Sequence, residues 1–496
     1  MALLGVALAV SALVTACGGS ALSPSYVRAA NDAVQGQVAG GAADGGSSST
    51  TSDPGAGGTG SAQSTSGDPA GSTRSSTSGG GASAGTGTAS GTASGQPGPS
   101  GGTRTATAGT SATGGARASC AGFHNQTGIT DKTITIANVA DISGPVPGIF
   151  TSAQQAVKAY VAYFNATTSL CGRKLTLLPM DSRTDPTADQ AAYLKACSNA
   201  FAAVGSMSAF DSGGAGTAQK CGLPDLRAAA VSDARNACTT CFGAQATDLH
   251  AFQNAVPDFF LAHYHASTQH AAMLYVNAAA SVENARTQQA VEQKRGMRFV
   301  YSASFDVAEF NYTPYVQKMK QKGVRWVQFV GSQDEAVRLA QAMQNADFKP
   351  DVFLLDPTAY DPTFVKSGGS AVNGAFVFID FTPLEEASTS KELRLYEAWL
   401  QQVAPGAAPS YFGIFAWSAA RLFGAEAAGL GGRLTRAALV DRVRHVDGWT
   451  DHGMHAPQAV GPKVNSSCWR FLRLENGHWQ PVGGRRYLCH GSTKLN

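Results

Sequence analysis

Histidines, serines and acids are the first residues to weigh for chemistry. "HYH" (263–265) with His270, and "DHGMH" (451–455), each bring imidazoles close together. Neither has two ligands at i and i+4 on a helix with an acid beside them, the arrangement a zinc hydrolase uses. Both read as surface helix or loop segments. "GSMSA" (205–209) has no Ser at the centre of G-x-S-x-G, so it is not a nucleophile elbow. "GGAG" (213–216) is not followed by Lys and Ser/Thr, so it is not a phosphate loop. No pair of carboxylates stands at a useful spacing. What remains is a set of short polar loops whose hydroxyls and amides can approach a small solute closely. The expected chemistry is therefore recognition rather than bond-making, with no cofactor and no metal. By spacing alone, the loop at 206–210 reads as a plain Gly/Ser turn. Asp356 serves equally well as a helix cap or as a turn with Pro357.

Those loops need elements to position them. "TITIANVAD" (133–141) alternates Ile134, Ile136 and Val139 with smaller residues, as a strand does. After the loop "SGPVPG" (143–148), Ala153, Ala156, Val157, Tyr160, Val161 and Phe164 recur at helical spacing. "RKLTLLPMD" (173–181) is a strand, 185–202 a helix, and "AAVGSMS" (202–208) and "AAAVSD" (228–233) are short strands ending in small-residue loops. The pattern restarts with strands at 271–277, 297–305, 324–332, 351–356 and 374–381. Helices are expected at 282–295, 313–322 and 334–345 between them. Helices at 392–403 and 410–429 follow, then one capped by Thr435, and "CWRFLRLENGHWQPV" (468–482) forms a hairpin around Asn476-Gly477. Strand–loop–helix repetition predicts an α/β fold of two doubly wound parallel-sheet lobes. Lobe I spans 120–250 with 384–448, and lobe II spans 251–383 with 449–496. Three crossovers, near 244–256, 380–385 and 445–460, would form the hinge.

Nine cysteines are present. Setting Cys17 aside leaves eight, which admit 105 pairings. Local spacing suggests Cys120–Cys171, Cys197–Cys221, Cys238–Cys241 and Cys468–Cys489. Zinc binding and redox work at "CTTC" (238–241) are the rivals. A redox motif opens a helix after a strand, whereas this one is expected in a loop.

The first residues set the compartment. Ala2–Val14 is an apolar run too short for a permanent span, which needs roughly 20 residues. It has the length of a signal-peptide core. "VTAC" (14–17) resembles a bacterial lipobox at the end of the signal segment (1–17), which implies acylation of the Cys17 thiol, with Cys17 becoming the new N-terminus when the chain is cut before it. The segment 18–119 is Gly, Ser, Thr and Ala, with four Arg balanced by four Asp. Such a sequence cannot bury enough apolar surface to offset its ordering entropy, so it is expected to be a disordered tether. A coil of about 100 residues would hold its ends roughly 50–60 Å apart. The expected location is the extracytoplasmic face of the cell membrane, held by lipid. A formal net charge of +3 with no basic run argues against nucleic acid.

"GPVPG" after the first strand, "GSMSAF" after the third, "VSD" after the fourth, the pair Cys197/Cys221 and the "ENGHW" hairpin occur in an order that resembles the type I periplasmic binding fold. Within it, they resemble the leucine/isoleucine/valine-binding receptors of ABC importers, over about Gly128 to Val482. The resemblance implies a monomeric clamshell that closes on a small polar solute, an amino acid or a relative of one, and then docks on a membrane permease. It implies that Ser206, Ser208, Ala209 and Phe210 meet the ligand carboxylate, and that Ser232 and Asp233 reach its α-group. Ala280 and Ser281 fall where the family has a covering aromatic. Gln333 follows the next strand, Asp356 stands where a carboxylate meets the ligand ammonium, and Tyr360, Phe150 and Pro145 would complete the walls. Two other roles are open to the same fold: a sensor for a signalling partner, and an envelope protein whose cleft no longer binds.

Overall fold

The computed structural model describes residues 118–495. Cys17, the leader and the tether up to Arg117 lie outside the described residues. No helix among the described residues is long and apolar enough to cross a membrane.

Five strands build the first sheet: β1 (Thr133–Ala140), β2 (Lys174–Asp181), β3 (Ala202–Val204), β4 (Asp225–Ala229) and β5 (Cys241–Gln245). Their order is β2-β1-β3-β4-β5, and all pairs are parallel. Pro179 sits in β2, and β2 is an edge strand, where a missing N–H costs no ladder bond. A short strand β6 (Ala251–Gln253) leaves this lobe. The second sheet holds β7 (Ala271–Val276), β8 (Phe299–Phe305), β9 (Trp326–Val330), β10 (Val352–Leu355), β11 (Phe376–Ile379), β12 (Cys468–Glu475) and β13 (His478–Val482). Reading from its far edge, the order is β8-β7-β9-β10-β11-β12-β13. β7 to β11 pair in parallel, and β12 and β13 close the sheet as an antiparallel hairpin. Asn476 and Gly477 both have positive φ (51° and 80°), as a tight hairpin turn requires. Two further short strands, β14 (Leu488–Cys489) and β15 (Ser492–Lys494), pair with β12 and β6.

The helix Tyr411–Leu430 is apolar on nearly all faces because it is covered on nearly all faces. It packs between the helix Thr151–Thr167 and the first sheet. Two glycines allow this closeness. A Cβ on Gly413 would meet Tyr396 Oη, and one on Gly424 would meet Tyr160 Oη.

Three details differ from the sequence reading. The fourth strand is Asp225–Ala229, earlier than 228–233, because charged Arg227 is accepted inside the sheet by buried acids. "CTTC" does not end in a plain loop: Cys241 opens β5, whose five residues mix Gly and Gln with apolar ones and give little alternation to detect. The helix after β7 begins at Ala279, so Ala280 and Ser281 belong to its first turn rather than to a loop. Its N-cap, Ala278, makes no side-chain bond that would have marked the start. All four expected disulfides are formed.

The chain passes between the sheets three times: after β5, after β11, and before β12. These crossings meet at one buried carboxylate. Asp380 accepts from Gln245 Nε2 at 3.2 Å and from Gln458 Nε2 at 2.8 Å, one residue from each of the other two crossings.

Candidate functional site

Strand order decides where a ligand can enter. In an open α/β sheet the crevice lies at the carboxyl ends, where neighbouring connections diverge to opposite faces. In the first sheet that point lies between β1 and β3, and in the second between β7 and β9. A cavity of about 300 Å³ joins the two. Pro145, Val146, Ile149 and Phe150 line it after β1, Met207, Ala209 and Phe210 after β3, and Ala229 to Val231 from the end of β4. From the second lobe come Val276, Ala278, Ala280, Ser281, Asn284 and Gln288, then Val330, Gly331, Ser332 and Glu335, and Asp356 to Thr358. Tyr411 and Phe412 come from the long apolar helix, and Phe412 packs edge-on against Phe150 with centroids 4.6 Å apart.

Of the sequence-derived candidates, Pro145, Phe150, Ala209, Phe210, Ala280, Ser281 and Asp356 line this cavity. The others are engaged elsewhere. Ser206 is fully buried and accepts from Val139 N at 3.1 Å. Ser208 is also fully buried and donates to Asp141 Oδ1 at 3.1 Å. Ser232 caps the short helix Asp233–Ala237 and donates to Asp211 at 2.5 Å. Asp233 is exposed, with His250 Nε2 3.1 Å away. Gln333 is the first residue of the next helix. Tyr360 is a core residue between Phe381 and Trp479 whose hydroxyl bonds Glu385 and accepts from Leu384 N.

Asp141 organises the first wall. It follows β1 directly and is wholly buried. Its carboxylate accepts from Ser182 Oγ (2.5 Å), Thr184 N (3.0 Å), Ser208 Oγ (3.1 Å) and Ala209 N (2.8 Å). The loop after β4 is held by a second buried cluster. Arg227 pairs with Asp211 and Asp225, and Arg235 with Asp225 and Asp189, all at 3.0–3.2 Å. Burial lifts Asp189 to about 6 despite its arginine partner.

The second wall is set by caps. Ser332 and Glu335 form a capping box at the head of the helix Gln333–Asn345. This places the buried Glu335 carboxyl on the cavity, and burial raises its pKa. The pattern "SQDE" is a legible signature of such a box. Asp356 caps the turn at Pro357, accepting from Thr358 N at 2.9 Å, and burial pushes it up to about 6. Asn284 and Gln288, one helical turn apart, add amide groups that sequence reasoning passed over. Gln288 Oε1 accepts from Gln328 Nε2 at 2.8 Å.

One other group has the composition of a cation site. Glu392, Asp451 and His452 lie together, but Arg421 Nε is 2.8 Å from Glu392 and 3.7 Å from Asp451 and supplies the positive charge. The neighbouring His455 is fully engaged. Its Nδ1 lies 2.9 Å from Ala456 O, and its Nε2 lies 2.8 Å from Ser418 Oγ, which in turn accepts from Trp449 Nε1.

Residues 133–478 match the model of a family described as periplasmic binding protein. No curated protein sequence matches the chain. Among solved structures, a leucine-binding protein of Thermotoga maritima is similar at 13% identity and TM-score 0.61, covering 71% of this chain and 98% of its own. A fatty acid ABC transporter substrate-binding protein of Thermomonospora curvata has 15% identity and TM-score 0.63, covering 74% and 95%. A solute-binding protein of R. palustris in complex with 4-hydroxybenzoate has 15% identity and TM-score 0.60, covering 73% and 98%.

Proposed function

The chain belongs to the periplasmic binding protein family, and we propose that it is the receptor of an ABC importer, tethered by lipid on Cys17 at the extracytoplasmic face. It binds one small solute between its lobes and presents the closed form to a membrane permease. The observation that carries this reading is the cavity of about 300 Å³ whose walls come from the carboxyl ends of both sheets. A cleft given over to a purely structural role would be filled by its own side chains. A solute held by both walls favours the closed form through contacts the open form lacks, which is the only way a ligand can drive closure. The solutes named for the solved relatives include leucine, a fatty acid and 4-hydroxybenzoate. That range supports a solute-binding role while leaving the solute to be read from this cavity.

The test is a thermal-shift screen of the protein with its disulfides intact, against amines, amino acids, amides, short peptides and carboxylic acids. A ligand at about 100 times its dissociation constant adds roughly 2.7 kcal/mol, a readily measured rise in Tm. A well-folded protein with a flat response across all classes would overturn the receptor reading. For the anchor, Cys17→Ser should abolish incorporation of labelled palmitate and release the protein from the membrane fraction. Retention there would remove the lipid from the account.

A further inference from the structure

The cavity is built against anions. Four of its lining residues carry backbone N–H groups that a bound carboxylate would need. Each of these already donates to a carboxylate of the protein itself: Ala209 to Asp141 (2.8 Å), Val231 to Asp211 (3.0 Å), Ser332 to Glu335 (2.8 Å) and Thr358 to Asp356 (2.9 Å). The same device recurs after β3, β4, β9 and β10, in both lobes.

The charges on the wall agree. No Lys, Arg or His is among the residues lining the cavity, whereas three carboxylates are: Asp248, Glu335 and Asp356. Asp248 is paired with Lys494 at 2.8 Å. Glu335 receives both the N–H and the hydroxyl of Ser332, and feels Arg338. Neither Glu335 nor Asp356 has a basic side chain within ion-pair distance among the described residues, but Glu335 is taken up by the Ser332 capping box, whereas Asp356 is bonded only by Thr358 and keeps capacity on its second oxygen. A half-buried carboxylate without a counter-charge carries a desolvation cost, and a cationic ligand relieves that cost where a neutral or anionic one does not. The same cavity is lined by Phe150, Tyr411, Phe412 and Val330, apolar surfaces that suit a hydrocarbon body, and the aromatic faces among them attract a cation.

We propose that the solute is an apolar organic amine without a carboxylate, its ammonium held by Asp356 and its body by the aromatic wall. The inference rests on the receptor reading above and narrows it. It departs from the amino-acid ligand that the sequence resemblance implies.

Two matched series test it by titration calorimetry at neutral pH: phenethylamine, phenylalanine, 3-phenylpropionate and 2-phenylethanol; and isoamylamine, leucine and isocaproate. The amine should bind at least tenfold more tightly than the amino acid and the acid of its series. An acid or amino acid that binds as tightly as the amine would overturn the inference and leave the receptor reading intact. No binding by any member would overturn the inference too, and the wider screen would then decide the receptor reading separately. Asp356→Asn keeps the cap and removes the charge. It should weaken the amine at least tenfold while leaving 2-phenylethanol within twofold. Unchanged amine affinity in this variant would also overturn the inference.

Discussion

Asp380 Oδ2 accepts a 2.8 Å hydrogen bond from Nε2 of Gln458, which lies 78 residues further along the chain. The two residues sit on different crossings between the lobes, and Gln245, where β5 runs into the first crossing, donates to the same carboxylate. Tyr411, whose hydroxyl bonds Gln245 Oε1, connects this knot to the cavity wall. The three crossings therefore meet on a single buried acid, which burial lifts to about 6.

Asp380→Ala should leave one buried N–H of Gln245 and one of Gln458 without an acceptor, Gln458 keeping its bond to Ala456 O at 3.2 Å, and each orphaned N–H costs about 1–3 kcal/mol. We expect a loss of about 2–4 kcal/mol in urea unfolding and a larger radius of gyration in X-ray scattering, as the lobes lose their common pivot. An unchanged midpoint would mean that water replaces the carboxylate without penalty.

The family resemblance puts Ser208 at the ligand, whereas the structure turns it to Asp141 and leaves it off the cavity wall. Its hydroxyl points to Asp141, and the residue has no exposed surface. Ser208→Ala should cost about 1 kcal/mol of stability and leave ligand affinity within twofold. Asp141→Ala strands Ala209 N, Thr184 N and two hydroxyls at once, and about 3 kcal/mol or more should be lost. Denaturation curves with parallel calorimetry would separate the two. A tenfold affinity loss in Ser208→Ala at full stability would return that residue to the binding surface.

The sheets were legible where a buried strand is a short apolar run closed by a small-residue loop, as at Ile134–Ala140 and Met273–Val276, and not at Asp225–Ala229 or Cys241–Gln245, which carry charged and polar residues inside the sheet. Positions at the ends of those strands follow from topology, so Ala209, Ala280 and Asp356 fell on the cavity. Side-chain direction does not follow from topology. Whether Ser208 meets a ligand or Asp141 depends on which buried acid lies beside it, and those two residues are 67 apart in the chain. Tyr360 failed as a wall residue for a similar reason. Its ring lies between Phe381 and Trp479, partners contributed by another loop and by the terminal hairpin. Asn284 and Gln288 were missed because helical amides carry no sequence signal of their own.

Asp225 Oδ2 is shared by Arg227, Arg235 and the hydroxyl of Tyr193, at 3.2, 3.0 and 2.8 Å. All four residues are buried. Removing one member of such a group leaves an uncompensated interior charge, typically at a cost of 3–5 kcal/mol. Asp225→Ala should therefore unfold far below the parent in urea and display the loop of Val231 less firmly. Replacement with a loss under 1 kcal/mol would show that Asp189 and Asp211 suffice for both arginines.

His455 gives a pH dependence of known sign. It is buried on the third crossing, stacked on Phe415 at 5.0 Å, and its two nitrogens are filled by Ser418 and Ala456 as a neutral ring requires. Burial lowers its pKa from 6.5 to about 4. Between those values the unfolded chain binds a proton that the folded chain refuses, so stability contributed by the neutral ring is complete above about pH 6.5 and is lost as pH falls toward 4. A shift of this size corresponds to roughly 3 kcal/mol at most. The buried acids Asp189 and Asp380 and the half-buried Asp356 act in the opposite direction over nearly the same range, because their raised pKa values favour the folded state at low pH. The wild-type profile alone would therefore mislead. The informative quantity is the difference between the parent and His455→Gln, measured by urea unfolding from pH 7.5 to 4. The variant should be the less stable at pH 7.5, since it breaks the Trp449–Ser418–His455 chain. The gap should narrow steadily below pH 6.5. A gap independent of pH would mean that His455 protonates in the folded protein at its ordinary pKa.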